Sequence, residues 1–382
     1  MRKLSNPFLV YGYESPEYFC DRDHETAELL DNLCNGWNVT LISPRRMGKT
    51  GLIKNAFYHL AHGKGPKGIN PKDIICVYAD IFSTNSLDDF VRVLGSALLS
   101  SFLSKGEKFM RKVIQFFAAW RPVVSVDPMS GEPSVSVTLD PHDDELNLKQ
   151  IFDMLGASDK EIFVAIDEFQ QIMSYPEKGT EALLRSYTQF VHNVHFVFSG
   201  SKRHLMTELF LSPARPFYQS TRIMNLSAIK EQSYYEFANK FFQKAHMSLS
   251  SDAFHECYEL LEGHTWYMQS ILKVLYGHGE SVTDNSPFKN AVHELVQDNT
   301  PSYETILSLL PERQQKLLSA IAKEGYIATP TSGNFVSRYH LVSASSVSSA
   351  IRVLMDKELV YKSEKGYSVY DRFFGLWLKY NY

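Results

Sequence analysis

Five short, largely apolar runs punctuate the first part of the chain: Val39–Ile42, Ile74–Asp80, Glu161–Asp167, Val194–Ser201 and Ile223–Ile229. Continuous apolar runs of this length predict strands buried on both faces, as in a parallel sheet covered by helices. Segments of helical spacing lie before and between them. Thr26–Leu33, Gly51–His62 and Lys202–Phe210 are three, and Ser86–Leu103 carries Leu87, Phe90, Val91, Leu94 and Leu98 on one face. The alternation breaks at about 104–159. Lys108–Trp120 and Asp144–Leu155 read as helices, and Val123–Val126 and Ser134–Thr138 as a hairpin around the turn-rich Asp127–Gly131. This stretch is an insertion that covers part of the sheet or offers a surface to a partner.

Beyond residue 229 the pattern is helical: Glu231–Ala245, Ser251–Leu261, Trp266–Tyr276 and Pro287–Gln297. A last segment starts near Pro301. Its helix Glu312–Glu324, helix pair Asn334–Tyr339 and Ser343–Lys357, and strands Leu359–Lys362 and Gly366–Tyr370 follow the order of a winged helix-turn-helix. The expected organisation is an α/β core over 1–229, a helical lid over 230–300 and a winged helix over 301–382.

The chemistry concentrates at the ends of three strands. Val39–Ile42 runs into Ser43-Pro44-Arg45-Arg46-Met47-Gly48-Lys49-Thr50-Gly51 and then a helix. This matches the second half of the Walker A pattern, with Ser43 in place of its first glycine. Gly48 lets backbone approach phosphates, Lys49 reaches the β- and γ-phosphates, and Thr50 offers a hydroxyl to Mg2+. Glu161–Asp167 ends in the pair Asp167-Glu168, where Asp167 would hold the metal and Glu168 polarise an attacking water. Val194–Ser201 ends in Ser199-Gly200-Ser201. These hydroxyls either face the γ-phosphate and the attacking water or cap the next helix.

Composition narrows the picture. The net charge of −4 gives no global basic field for nucleic acid. Cys20, Cys34, Cys76 and Cys257 are widely spaced, which argues against a zinc site or disulfide framework and fits a reducing cytoplasm. The charged start Met1–Phe8 precedes no long apolar core, so neither a signal peptide nor a membrane span is expected. The 25 Phe and 21 Tyr are dispersed rather than interleaved with basic residues, so they read as core and interface.

Taken together, Phe19–Glu25, Pro44–Thr50, Ala165–Phe169, Ser199–Ser201 and the terminal Tyr370–Trp377 make the chain resemble AAA+/STAND-type ATPases of the archaeal ATPase family. That resemblance implies an additional-strand P-loop NTPase fold, binding of ATP and Mg2+, hydrolysis, and a winged helix that senses the nucleotide or docks a partner. It also implicates Arg22, in the motif before the first helix, in the nucleotide site. The chain departs from the family at two places. Ser220 stands where an arginine is expected, leaving Arg222 as the candidate γ-phosphate sensor or arginine finger. Gly263-His264-Thr265 lacks the family's proline. These departures bear on hydrolysis more than on binding.

The expected function is an ATP-driven switch with slow turnover and a protein partner. A DNA-binding regulator and a nucleotide-binding scaffold are the alternatives. The helix expected to read DNA, Ser343–Arg352, is rich in serine with one arginine, whereas phosphate contacts usually need several Lys or Arg, so nucleic acid is not favoured.

Overall fold

A computed structural model describes residues 4–103, 121–126, 133–138 and 144–382. The expected helix Lys108–Trp120 and turn Asp127–Gly131 lie outside the described residues. The chain forms two compact units: 11–233, and 4–10 with 234–382. This division differs from the expected three domains. The lid and winged-helix segments form one unit, and an N-terminal strip joins them.

In the first unit, helix α1 (Asp23–Cys34) precedes strand β1 (Val39–Ile42), helix α2 (Lys49–Ala61), strand β2 (Ile74–Asp80) and helix α3 (Leu87–Leu103). Strands β3 (Arg121–Val126) and β4 (Pro133–Thr138) pair antiparallel as a separate ribbon, with Val124 opposite Val135. Helix α4 (Asp144–Gly156), strand β5 (Glu161–Asp167), helix α5 (Thr180–Thr188), strand β6 (Val194–Gly200), helix α6 (Arg203–Leu211) and strand β7 (Arg222–Asn225) follow. The main sheet has the order β2-β5-β6-β1-β7, and every pairing is parallel. Strand β6 thus lies between β1 and β5, as expected for an additional-strand sheet.

Period-2 alternation divides the buried strands between two cores. Ile162, Val164 and Ile166 of β5 join Phe196 and Phe198 of β6 in a core with α3, α4 and α6. Phe163 and Ala165 face the other way, with Leu41, Val197, and Leu52, Ile53 and Ala56 of α2. Neither face is solvated, which is why these strands read as continuous apolar runs. Parallel pairing brings the carboxyl ends of β1, β5 and β6 to one edge. Ile42 pairs with Gly200, Ile166 with Phe198, and Asp80 with Asp167.

The second unit contains helices α7 (Glu231–Lys244), α8 (Ser251–Leu261), α9 (Thr265–His278), α10 (Ser286–Asp298) and α11 (Thr300–Ser308), with the division falling in the first turn of α7. Helices α12 (Glu312–Glu324), α13 (Gly333–Arg338) and α14 (Ala344–Asp356), strands β8 (Val360–Ser363) and β9 (Gly366–Val369), and helix α15 (Arg372–Asn381) complete it. Helices α5, α11 and α15 were not expected from periodicity.

The terminal motif explains why lid and winged helix pack together. Asp371 caps α15 by accepting the Phe374 N–H at 3.1 Å. Phe373 meets Tyr267 edge-on at 4.8 Å, while Phe374 stacks on Tyr303 at 4.9 Å. The Arg372 guanidinium donates to Glu262, Tyr326 and Tyr361, and its main-chain N–H donates to the Tyr267 hydroxyl. The apolar run at the chain's end is therefore consumed by its own unit.

The N-terminal strip is anchored by Phe8. It is 1% exposed and lies within 5.7–6.2 Å of Phe237, Phe241, Phe242 and Tyr276. Asn6 adds a hydrogen bond to the Lys273 carbonyl at 2.9 Å. Phe8→Ala is expected to destabilise the second unit by about 3–5 kcal/mol, read from urea unfolding. A change below about 1 kcal/mol would show that the strip is not part of that unit's core.

Candidate nucleotide site

The loop after β1, Ser43–Gly48, leads straight into the first turn of α2. Arg46 (φ 67°) and Gly48 (φ 88°) are left-handed. At Gly48 this conformation costs little, because there is no Cβ. Gly48 is also the N-cap of α2, so it offers no side-chain acceptor, and the helix's first turn carries no acid. The first N–H groups of a helix are left without intrahelical partners, and the dipole makes that end positive. An uncapped helix start following a left-handed loop is a site for an anion. Gly51 has a packing reason as well: a Cβ there would come within 2.8 Å of the Phe19 ring.

Lys49 is 6% exposed. Its ammonium rests on two neutral carbonyls of the loop, Ser43 O at 3.2 Å and Pro44 O at 3.3 Å. Burial pushes its pKa down, and the nearby Glu168 and Asp167 charges partly oppose that. Arg45 lies 5.5 Å over the Phe82 ring.

Asp167 collects donors from three other elements. Its Oδ2 accepts from Thr50 Oγ1 at 2.9 Å and from Tyr78 OH at 2.6 Å. Its Oδ1 accepts from Ser199 Oγ at 2.5 Å and from the Glu168 N–H at 3.0 Å. Glu168 is left-handed (φ 56°) and opens a 3-10 turn, Phe169–Ser174. Such a conformation costs on the order of 1 kcal/mol and clusters at functional sites. Its Oε2 accepts from Ser201 Oγ and Gln170 Nε2, both at 2.6 Å. The buried Gln170 Oε1 has no hydrogen-bond partner, so the amide is committed to Glu168 at the expense of its own carbonyl.

The alternative roles of the serines are thereby separated. The N-cap of α6 is Lys202, which makes no side-chain cap, so neither Ser199 nor Ser201 caps that helix. Ser199 donates to Asp167 and Ser201 to Glu168.

Arg22 is 2% exposed in a left-handed conformation. It donates to Met47 O at 3.2 Å, Ser227 O at 2.6 Å and Glu25 at 2.7 Å. It braces the loop from behind through the carbonyl of Met47, itself a buried residue. Arg222 requires a correction as a sensor of this chain's own site. It begins β7 opposite Val39, at the amino end of the sheet, while the loop follows Ile42 at the carboxyl end. Three strand residues separate the two levels, about 10 Å, and the guanidinium stacks over Trp37 at 4.4 Å. The chain does not bring its own Arg222 to this site. Tyr78 and Gln170 are the participants that the sequence did not single out.

The donor set suits a triphosphate with a hard divalent cation. The Thr50 hydroxyl and Asp167 carboxylate supply oxygen ligands of the kind Mg2+ takes. The buried ammonium and the uncapped helix supply the anion's counter-charge.

Comparison with solved structures supports the fold. A Walker-type ATPase of Pyrococcus abyssi superposes with a TM-score of 0.66 at 16% identity, covering 98% of this chain and 99% of that one. The ORC1 protein of Aeropyrum pernix, in a complex with DNA, gives 0.54 at 14% identity, covering 99% and 97%. Residues 301–380 match a family described as a probable winged helix domain. Comparison with curated proteins found no match. The chain has a P-loop NTPase fold with a C-terminal winged helix domain. Among the described residues no helix is long and apolar enough to cross a membrane.

Replacing Arg22 tests the brace. Arg22→Met removes the hydrogen bonds to the Met47 and Ser227 carbonyls, at about 1–3 kcal/mol each, and should lower the stability of the first unit accordingly in urea unfolding. Wild-type stability would remove Arg22 from that role.

Proposed function

We propose that this chain binds ATP with Mg2+ and hydrolyses it slowly, as a nucleotide-driven switch read by a protein partner. The observation that carries the proposal is the convergence of Lys49, Thr50, Asp167 and Glu168 at one edge of the sheet. Ser43–Gly51 would wrap the phosphates with main-chain N–H groups, and Lys49 would exchange its two carbonyl partners for β- and γ-phosphate oxygens. Thr50 and Asp167 would hold Mg2+, which neutralises charge on the phosphate oxygens. Glu168 would accept a proton from the water that attacks the γ-phosphorus as the bond to ADP breaks. Ser199 would keep Asp167 in place.

Two features support slow turnover. The general base already accepts hydrogen bonds from Ser201 and Gln170 on Oε2, so the proton would have to go to Oε1. Arg222 faces another end of the sheet. The unit of lid and winged helix supports the switch reading. Arg372 and Phe373 join α15 to Glu262 at the end of α8 and to Tyr267 on α9, so the two segments would respond as one body. The exposed face of α14 presents Ser345, Ser348, Ser349, Val353 and Met355 with one arginine, Arg352. That composition favours a protein contact over a phosphate backbone.

Lys49→Ala should weaken Mg2+-ATP binding by about 1.5–3 kcal/mol, roughly 10- to 150-fold, measured by calorimetry. Unchanged affinity would refute the phosphate-loop assignment. Glu168→Gln should bind ATP like the wild type and lose turnover by roughly 10²–10⁴-fold in single-turnover assays, because an amide takes no proton. Equal turnover in the two proteins would take Glu168 out of the chemistry.

A further inference from the structure

The geometry points to Tyr78 as the positioning residue that keeps the Asp167 carboxylate aimed when Thr50 leaves it for the metal. This rests on the nucleotide reading above and goes one residue beyond it. The argument begins with the lone pairs of Asp167. A carboxylate offers about four acceptor positions, and here four donors fill them: Ser199 and the Glu168 N–H on Oδ1, Thr50 and Tyr78 on Oδ2. Thr50 stands in the first turn of α2 beside Lys49, so its hydroxyl would be the donor that turns away when the site fills. Oδ2 would then keep a single hydrogen bond, the one from Tyr78.

Tyr78 is placed for that task by burial rather than by the loop. It lies on β2, the sheet neighbour of β5, with its Cα opposite Ala165, two residues before Asp167. Its ring packs against the core beneath α1 and α2, with the Lys54 ammonium 5.2 Å from the centroid. The phenol spans the two-residue offset and delivers its hydroxyl to Oδ2. A phenol is protonated at neutral pH and a carboxylate only accepts, so the hydroxyl is the donor in this pair.

Asp167 needs such a tether. Asp80 is its cross-strand neighbour, and like charges directly opposite on adjacent strands repel. With one Oδ2 donor gone and no Tyr78, that repulsion would rotate Asp167 away from the orientation that faces Thr50.

The test is calorimetric, on the full chain, with ATP titrated in EDTA and across a Mg2+ series. Tyr78→Phe should bind ATP in EDTA within about twofold of wild type and should raise the Mg2+ concentration for half-maximal enhancement about tenfold. In an Asp167→Asn background the same substitution should have no further effect on the Mg2+ series. A half-maximal Mg2+ concentration within twofold of wild type would overturn the inference while leaving ATP binding intact. Loss of ATP binding in EDTA by Tyr78→Phe alone would also overturn it, by assigning the hydroxyl to the fold. A wild type that binds no ATP would instead sink the nucleotide reading itself.

Discussion

The carboxylate of Asp167 is the point on which the site depends. It is 4% exposed at the end of a strand buried on both faces. A charge in that position is tolerated only if hydrogen bonds replace its water. The protein supplies them from α2, β2, β6 and the next main-chain N–H. Meeting this requirement places the other parts. Thr50 must start its helix within reach, Ser199 must sit fully buried inside a strand of aromatics, and β2 must lie beside β5. The neighbouring Glu168, in its left-handed turn, then points to Ser201 and Gln170 rather than back along the strand.

The same constraint explains why much of this site could be read in the sequence. Apolar strands that terminate abruptly in a glycine-lysine loop, two acids and two hydroxyls place polar chemistry at one sheet edge, and parallel pairing fixes which edge. Tyr78 escaped notice because a tyrosine within Ile74–Asp80 looks like any core aromatic; only its hydroxyl separates it from Phe196 or Phe198. Gln170 lies in a short 3-10 turn whose direction no periodicity reports. The place of Arg222 was not legible because an arginine at a strand boundary signals nothing about which end of the sheet it occupies. The strand begins at Arg222, so its side chain belongs to the amino end.

The second unit shows the same division between local and distant signals. The winged-helix order was visible in the helix pair and the short strands. The packing of Phe8 among aromatics of α7 and α9 was not, because Phe8 stands more than two hundred residues away from them. The motif Asp371-Arg372-Phe373-Phe374 resolves into a cap, a polar brace and two packed rings. It uses its half-buried arginine to bind Glu262, whose pKa is held low by the Tyr326 hydroxyl and the Arg372 charge despite burial. Each residue in the motif therefore has a structural task within the unit.

The most direct test of the account is a crystal structure of the chain grown with a non-hydrolysable ATP analogue and Mg2+. The account predicts the triphosphate at the start of α2, the Lys49 ammonium moved from Ser43 O and Pro44 O onto phosphate oxygens, and the Thr50 hydroxyl moved from Asp167 to the metal. A nucleotide bound elsewhere, or a filled site with Lys49 and Thr50 still on their present partners, would contradict it.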